Sequence, residues 1–184
     1  ALSELIFVSD GRRGAQLQSL NVSHNPLQVE GLACLLSPPE KTAVSSVLEL
    51  DLISTHLQPE AIPLLLQFLH GMGRALESLQ VAGNKFGRQG ITELIQGMGG
   101  QGSDTPAPAL QSLNIRDTGI DCVTLRNVGE VLANGATGLK SLHIGDNPFG
   151  MDAVRDVLQL LAKRGCGLSE LDVQGLALGR PECD

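Results

Sequence analysis

The stretch that most constrains this chain is LQSLNVSHNPL, residues 17–27, because its spelling returns five more times. VLELDLISTHL begins at Val47, LESLQVAGNKF at Leu76, LQSLNIRDTGI at Leu110, LKSLHIGDNPF at Leu139 and LSELDVQGLAL at Leu168. Each copy fits L-x-x-L-x-L-x-x-[N/T]-x-L with apolar substitutions, save that Leu176 takes the Asn place in the last. Successive copies start 30, 29, 34, 29 and 29 residues apart. A spelling that recurs at such an interval marks stacked copies of one supersecondary unit, each burying its apolar face on its neighbours. The expectation is one domain over 1–184, with strand-bearing motifs at 17–27, 47–57, 76–86, 110–120, 139–149 and 168–178.

The physics of a strand explains the spelling. Leu20 and Val22 stand two apart and point to one face, into a core, while Asn21 and Ser23 point to the other. Asn25 comes where the chain must turn off the strand. Its amide can satisfy backbone groups there and bridge stacked turns, a task that Thr55 and Thr118 share in part through their hydroxyls. Four residues beyond the closing apolar position stand Gly31, Ala61, Gly90, Thr124 and Ala153. Eight beyond stand Leu35, Leu65, Leu94, Val128 and Val157; twelve beyond stand Leu69, Met98, Leu132 and Leu161, with Pro39 as the miss. A step of four is one face of a helix, so each unit pairs a strand with a helix. EAIPLLLQFL and MDAVRDVLQLLAK read most clearly as helices, with Pro63 confined to a helix start. The small residue at the fourth place is expected to let each helix approach its strand.

Two segments break the period. SPPEKTAVSS (37–46) and GGQGSDTPAP (99–108) are polar and rich in Gly, Pro and Ser, and read as loops. Residues 1–16 read as an irregular partial repeat, in which Leu2, Leu5 and Phe7 match the pattern and GRRG (11–14) makes a tight loop. GRPECD closes the sequence with no polar capping helix, and solenoids cap their ends, so the chain is expected to come from a longer array.

Composition removes several functions. Aromatics make up 2% and Trp and Tyr are absent, which leaves little for base stacking or an aromatic ligand pocket. The formal charge of −7 disfavours nucleic acid and anionic membrane as partners. No apolar run is long enough to span a bilayer, and ALSELIFVSD lacks the basic start of a signal peptide. Cysteines at 34, 122, 166 and 183 are unclustered and read as reduced intracellular thiols.

Six strand–helix units of about 29 residues resemble the ribonuclease-inhibitor-like class of leucine-rich repeats. The resemblance implies an α/β right-handed solenoid with a parallel sheet on its concave face, helices on its convex face, and a role as a non-catalytic protein-interaction scaffold. Within that class, STHLQPEAIPLLLQFL and LKSLHIGDNPFGMDAVRDVLQLLAKRGCGLSELDVQGLAL are similar to repeats of the CARMIL actin regulators. That similarity implies a cytoplasmic regulator of the actin cytoskeleton whose capping-protein inhibition lies outside the repeats. A GTPase-activating module of the Ran type and the ligand-sensing array of a NOD-like receptor are the alternatives.

Catalytic and metal signatures do not emerge. His24, His56, His70 and His143 have no Cys or Glu at metal spacing, and SDGRRGA lacks the Lys-Ser/Thr ending of a phosphate loop. The expectation is therefore no enzyme, no cofactor, no metal and no small-molecule substrate. The outward strand positions remain, and Asp51, Asn114, Arg116, His143, Asp146 and Asp172 are the candidate protein-binding side chains. Two readings of that face stay open: a binding surface, or a solvated sheet face with no partner of its own.

Overall fold

The computed structural model describes residues 7–8, 17–38, 44–71, 73–99, 108–134, 137–164 and 166–175. In chain order its elements are β1 (Phe7–Val8), β2 (Ser19–Asn21), α1 (Gln28–Leu36), β3 (Val44–Ser45), β4 (Glu49–Asp51), α2 (Ile62–His70), β5 (Ser78–Gln80), α3 (Gly87–Met98), β6 (Ser112–Asn114), α4 (Cys122–Ala133), β7 (Ser141–His143), α5 (Met151–Arg164) and β8 (Glu170–Asp172). Six strands, β2 and β4 to β8, form one parallel sheet in sequence order. The central leucines Leu20, Leu50, Leu79, Leu113, Leu142 and Leu171 stand side by side. The 34-residue step between β5 and β6 causes no slip, since Ser78 pairs with Ser112 just as Ser112 pairs with Ser141.

A sharp turn limits each of these strands to three residues. His24, Ser54, Gly83, Asp117, Asp146 and Gly175 all occupy the left-handed backbone region, with φ between 48° and 73°. Gly and Asp tolerate that region, whereas other L-residues lose about 1–2 kcal/mol there. The turn is not left unpaired. His24, Ser54, Gly83, Asp117 and Asp146 each donate a backbone N–H to the corresponding turn of the next repeat, at 2.8–3.2 Å.

Beyond that turn the repeats alternate between two designs. At the ninth motif position Asn25 donates to Val22 O and Ser23 O of its own repeat, whereas Asn84 and Asn147 reach back into the previous repeat. The Asn84 Oδ1 accepts from the N–H groups of Thr55 and Leu57, and its Nδ2 donates to Leu52 O and Val81 O. Asn147 repeats this against Thr118, Ile120, Ile115 and Ile144. Where the ninth position is Thr, its Oγ1 donates back to the strand, Thr55 to Leu52 O and Thr118 to Ile115 O. The carbonyls of Thr55 and Thr118 accept from Gln28 and Gly87 of the repeat before. Both halves of the expected turn chemistry are present, and they alternate.

The core runs as one column between sheet and helices. Leu50, Leu79, Leu113 and Leu142 are at most 2% exposed, while Leu20 and Leu171 at the two edges are half-buried. Each fully buried leucine contributes about 1.5–3 kcal/mol relative to an exposed one. α2 begins after a 3-10 turn at Pro59–Ala61, with Pro63 in its first turn where no N–H is needed. At the fourth place Gly90 serves the contact with the helix before it, and Gly129, outside that place, serves the contact with the helix after it. A Cβ on Gly90 would lie 3.1 Å from Phe86 Cβ and 3.4 Å from Ile62 Cγ1, and one on Gly129 would lie 3.0 Å from Val157.

Several expectations change. Phe7–Val8 pairs antiparallel with Val44–Ser45, so β1 does not extend the parallel sheet as a stacked repeat would, and the expected loop 37–46 contains a strand. Residues 11–14, 39–43, 100–107 and 176–184 lie outside the described residues, and with them most of the loop at 99–108 and the closing GRPECD. Cys122 is disulfide-bonded, which corrects the reading of reduced thiols throughout; Cys34 and Cys166 are free.

Candidate protein-binding face

The middle outward position of each strand is Asn21, Asp51, Gln80, Asn114, His143 and Asp172. In four of the six, the side chain first serves its own turn. Asn21, Asp51, Asn114 and Asp172 each accept, through Oδ1, the backbone N–H two residues on, at 2.9–3.1 Å. That bond stabilises the exit from the strand and accounts for short carboxylates and amides in this column. The second oxygen or the amide nitrogen then links neighbouring repeats: Asn21 Nδ2 donates to Asp51 Oδ2 at 2.9 Å, and Asn114 Nδ2 donates to Gln80 Oε1 at 2.8 Å.

At the β6–β8 end the candidate residues converge. Arg116 donates to Asp146 Oδ2 through Nε and Nη2, at 3.1 and 2.6 Å, and to Asp172 Oδ2 through Nη1 at 2.8 Å. One guanidinium thereby ties three repeats together. His143 Nδ1 lies 3.3 Å from the same Asp172 oxygen, and its Nε2 lies 3.0 Å from Ser141 Oγ. Ser141 in turn donates to Glu170 Oε2 at 2.8 Å. Of the six candidates, Arg116, His143, Asp146 and Asp172 form one cluster; Asp51 stands apart, and Asn114 touches the cluster only through the backbone of Arg116. Ser141 and Glu170, outward positions by the same register, were not among the six candidates, and it is their pairing across β7 and β8 that brings them into the cluster.

The electrostatics favour the charged forms. The N–H of Gln174 is the chief group holding the Asp172 carboxyl below its ordinary range; burial opposes this, and the His143 hydrogen bond and the Arg116 charge reinforce it. The Asp146 hydrogen bond chiefly raises the affinity of Arg116 for its proton. The Arg116 and Asp172 side chains are 27% and 17% exposed, so solvent screens this pair only in part.

A chain of Ser141, His143 and Asp172 has the outline of a nucleophile, base and orienting acid. The Ser141 hydroxyl also lies 2.8 Å from Glu170 Oε2 and has one proton to give, so Glu170 competes with His143 for it, which does not suit a nucleophile reserved for its base. No group of three or more His, Cys, Asp or Glu side chains among the described residues can hold a metal ion.

Six parallel strands in register, the first five each followed by an Asn or Thr turn and a helix, define an α/β leucine-rich repeat solenoid of about six repeats. A protein-family model described as Leucine Rich repeat matches residues 16–36, the first of these units. No curated protein matches the chain. No described helix is long and apolar enough to cross a membrane.

Proposed function

We propose that this solenoid is a non-catalytic protein-interaction module that binds a partner on the open sheet face of its last three repeats. The observation that carries this is the Arg116 cluster, which fixes side chains from β6, β7 and β8 in one arrangement before any partner arrives. A partner then meets a surface whose conformational entropy is already reduced. The carboxylates of Asp146, Glu170 and Asp172 outnumber the single guanidinium of Arg116 in this cluster, so the matching surface is basic. Asp51 and Asn114 extend the face toward the first repeats.

The setting in an actin regulator of CARMIL type rests on the resemblance of residues 54–69 and 139–178 and on the position of the SPPEKTAVSS insertion. The Ran-type and NOD-like alternatives rest on the repeat class they share.

Affinity capture comparing the chain with an Asp51→Ala, Arg116→Ala, His143→Ala triple variant tests the proposal, provided the two have equal urea midpoints. A partner retained by the first and lost by the second is expected, and actin regulators among such partners favour the CARMIL setting. Identical capture profiles make the face a solvated scaffold.

A further inference from the structure

A second surface lies where the chain leaves the first three strands, away from the Arg116 cluster. An open groove of about 640 Å³ lies there between exposed side chains, and Gln28 and His56 line it. Both are left-handed, with φ of 56° and 61°.

The repeat supplies its own control. Repeats 1 and 2 are joined by the Gln28 N–H donating to Thr55 O at 3.1 Å, and repeats 3 and 4 by the Gly87 N–H donating to Thr118 O at 2.8 Å. Gly87 holds the place of Gln28, with φ 61°, and Gly119 holds the place of His56, with φ 82°. A Cβ on Gly119 would lie 3.3 Å from Gly87 Cα, so the two places touch. Glycine thus satisfies this junction in repeats 3 and 4, where its backbone freedom suits the left-handed turn. In repeats 1 and 2 the same two places carry a carboxamide and an imidazole. The turn does not require them, and both face one groove.

The rest of the lining identifies the ligand. Glu30, Glu60 and Lys85 border the groove and make no ion pair among the described residues. Two carboxylates against one ammonium select a cationic group. The amides of Gln28 and Gln58 offer donor and acceptor together, the pattern a peptide group presents in reverse. We propose that this groove binds an extended peptide segment of a partner protein, with a Lys or Arg side chain directed to Glu30 and Glu60.

The test is panning of a phage library of random linear dodecapeptides on the full chain, then calorimetric titration of the enriched synthetic peptides. Enriched peptides are expected to carry Lys or Arg. They should bind about tenfold or more weakly to a Gln28→Gly, His56→Gly double variant and to a Glu30→Gln, Glu60→Gln double variant. The glycine variant should keep or raise the thermal midpoint, which separates lost contacts from lost fold. The Asp51, Arg116, His143 triple variant should bind these peptides unchanged. No enrichment, enrichment of acidic peptides, or unchanged affinity in either double variant overturns the proposal. So does equal affinity for free lysine, which would make this a small-molecule site.

Discussion

At the scale of single residues, the ninth motif position decides most. Asn147 is 2% exposed and satisfies two N–H groups of repeat 4 and three carbonyls at once. Asn147→Ala leaves those amides buried without an acceptor, at about 1–3 kcal/mol for each stranded group. A loss of about 3 kcal/mol or more in urea-unfolding free energy is expected, and a loss below about 1 kcal/mol contradicts the role. The carboxyl of Asp172 is held below the ordinary value of about 3.9 in the folded chain. It therefore contributes stability that is present above that pH and is lost as pH falls through the lowered value. In Asp172→Asn the fall of stability below about pH 4 should be shallower; an unchanged acid limb excludes the contribution. The bridging Asn was legible in the sequence because its chemistry has a residue signature. The left-handed turns were not: His24, Ser54, Gln28 and His56 carry no mark of a positive φ, and only Gly and Asp in the equivalent places hint at it.

At the scale of elements, α4 shows what local chemistry adds. Asp121 caps it, accepting from the Thr124 N–H at 2.8 Å and the Thr124 hydroxyl at 2.7 Å, and also pairs with Arg88 at the start of α3. Burial pushes the Asp121 carboxyl up, but the two Thr124 bonds and Arg88 outweigh it and hold it low. Asp121→Ala is expected to cost about 1 kcal/mol, the ordinary range of a lost cap; a calorimetric midpoint equal to the parent's excludes a capping contribution. The helices were legible because their fourfold spacing holds in full through repeats 2 to 5. The β1–β3 pair was not, because two residues carry no period, and the polar composition around Val44 reads as loop. At the fourth place Gly90 admits Ile62 of the neighbouring helix, a contact the spacing alone does not name; Gly129, elsewhere on α4, admits Val157 in the same way.

At the scale of the molecule, stability is graded along the array. A solenoid repeat contacts only its neighbours, so terminal units lose half the interface that central ones have. The half-buried Leu20 and Leu171 flank four leucines at most 2% exposed. Amide hydrogen exchange is therefore expected to be slowest in β5 and β6 and faster in β2 and β8, through local opening at the ends. Uniform protection across the sheet contradicts that gradient. The sheet order was legible from the repeat alone. The cluster around Arg116 was not, because the repeat register sets the columns but not which long side chain crosses between them.

The alternation of turns gives the array a parity. In repeats 2 and 4 the amides of Leu57 and Ile120 wait for the Asn of the next repeat. In repeats 1 and 5 the corresponding amides, Leu27 and Phe149, are already spent on the carbonyls of Asn25 and Asn147. The amide of Asn84 bonds to repeat 2 and that of Asn147 to repeat 4. Removing repeat 4 alone would therefore take away both N–H donors that Asn147 satisfies, whereas removing repeats 4 and 5 together would leave the couple of repeats 2 and 3 whole.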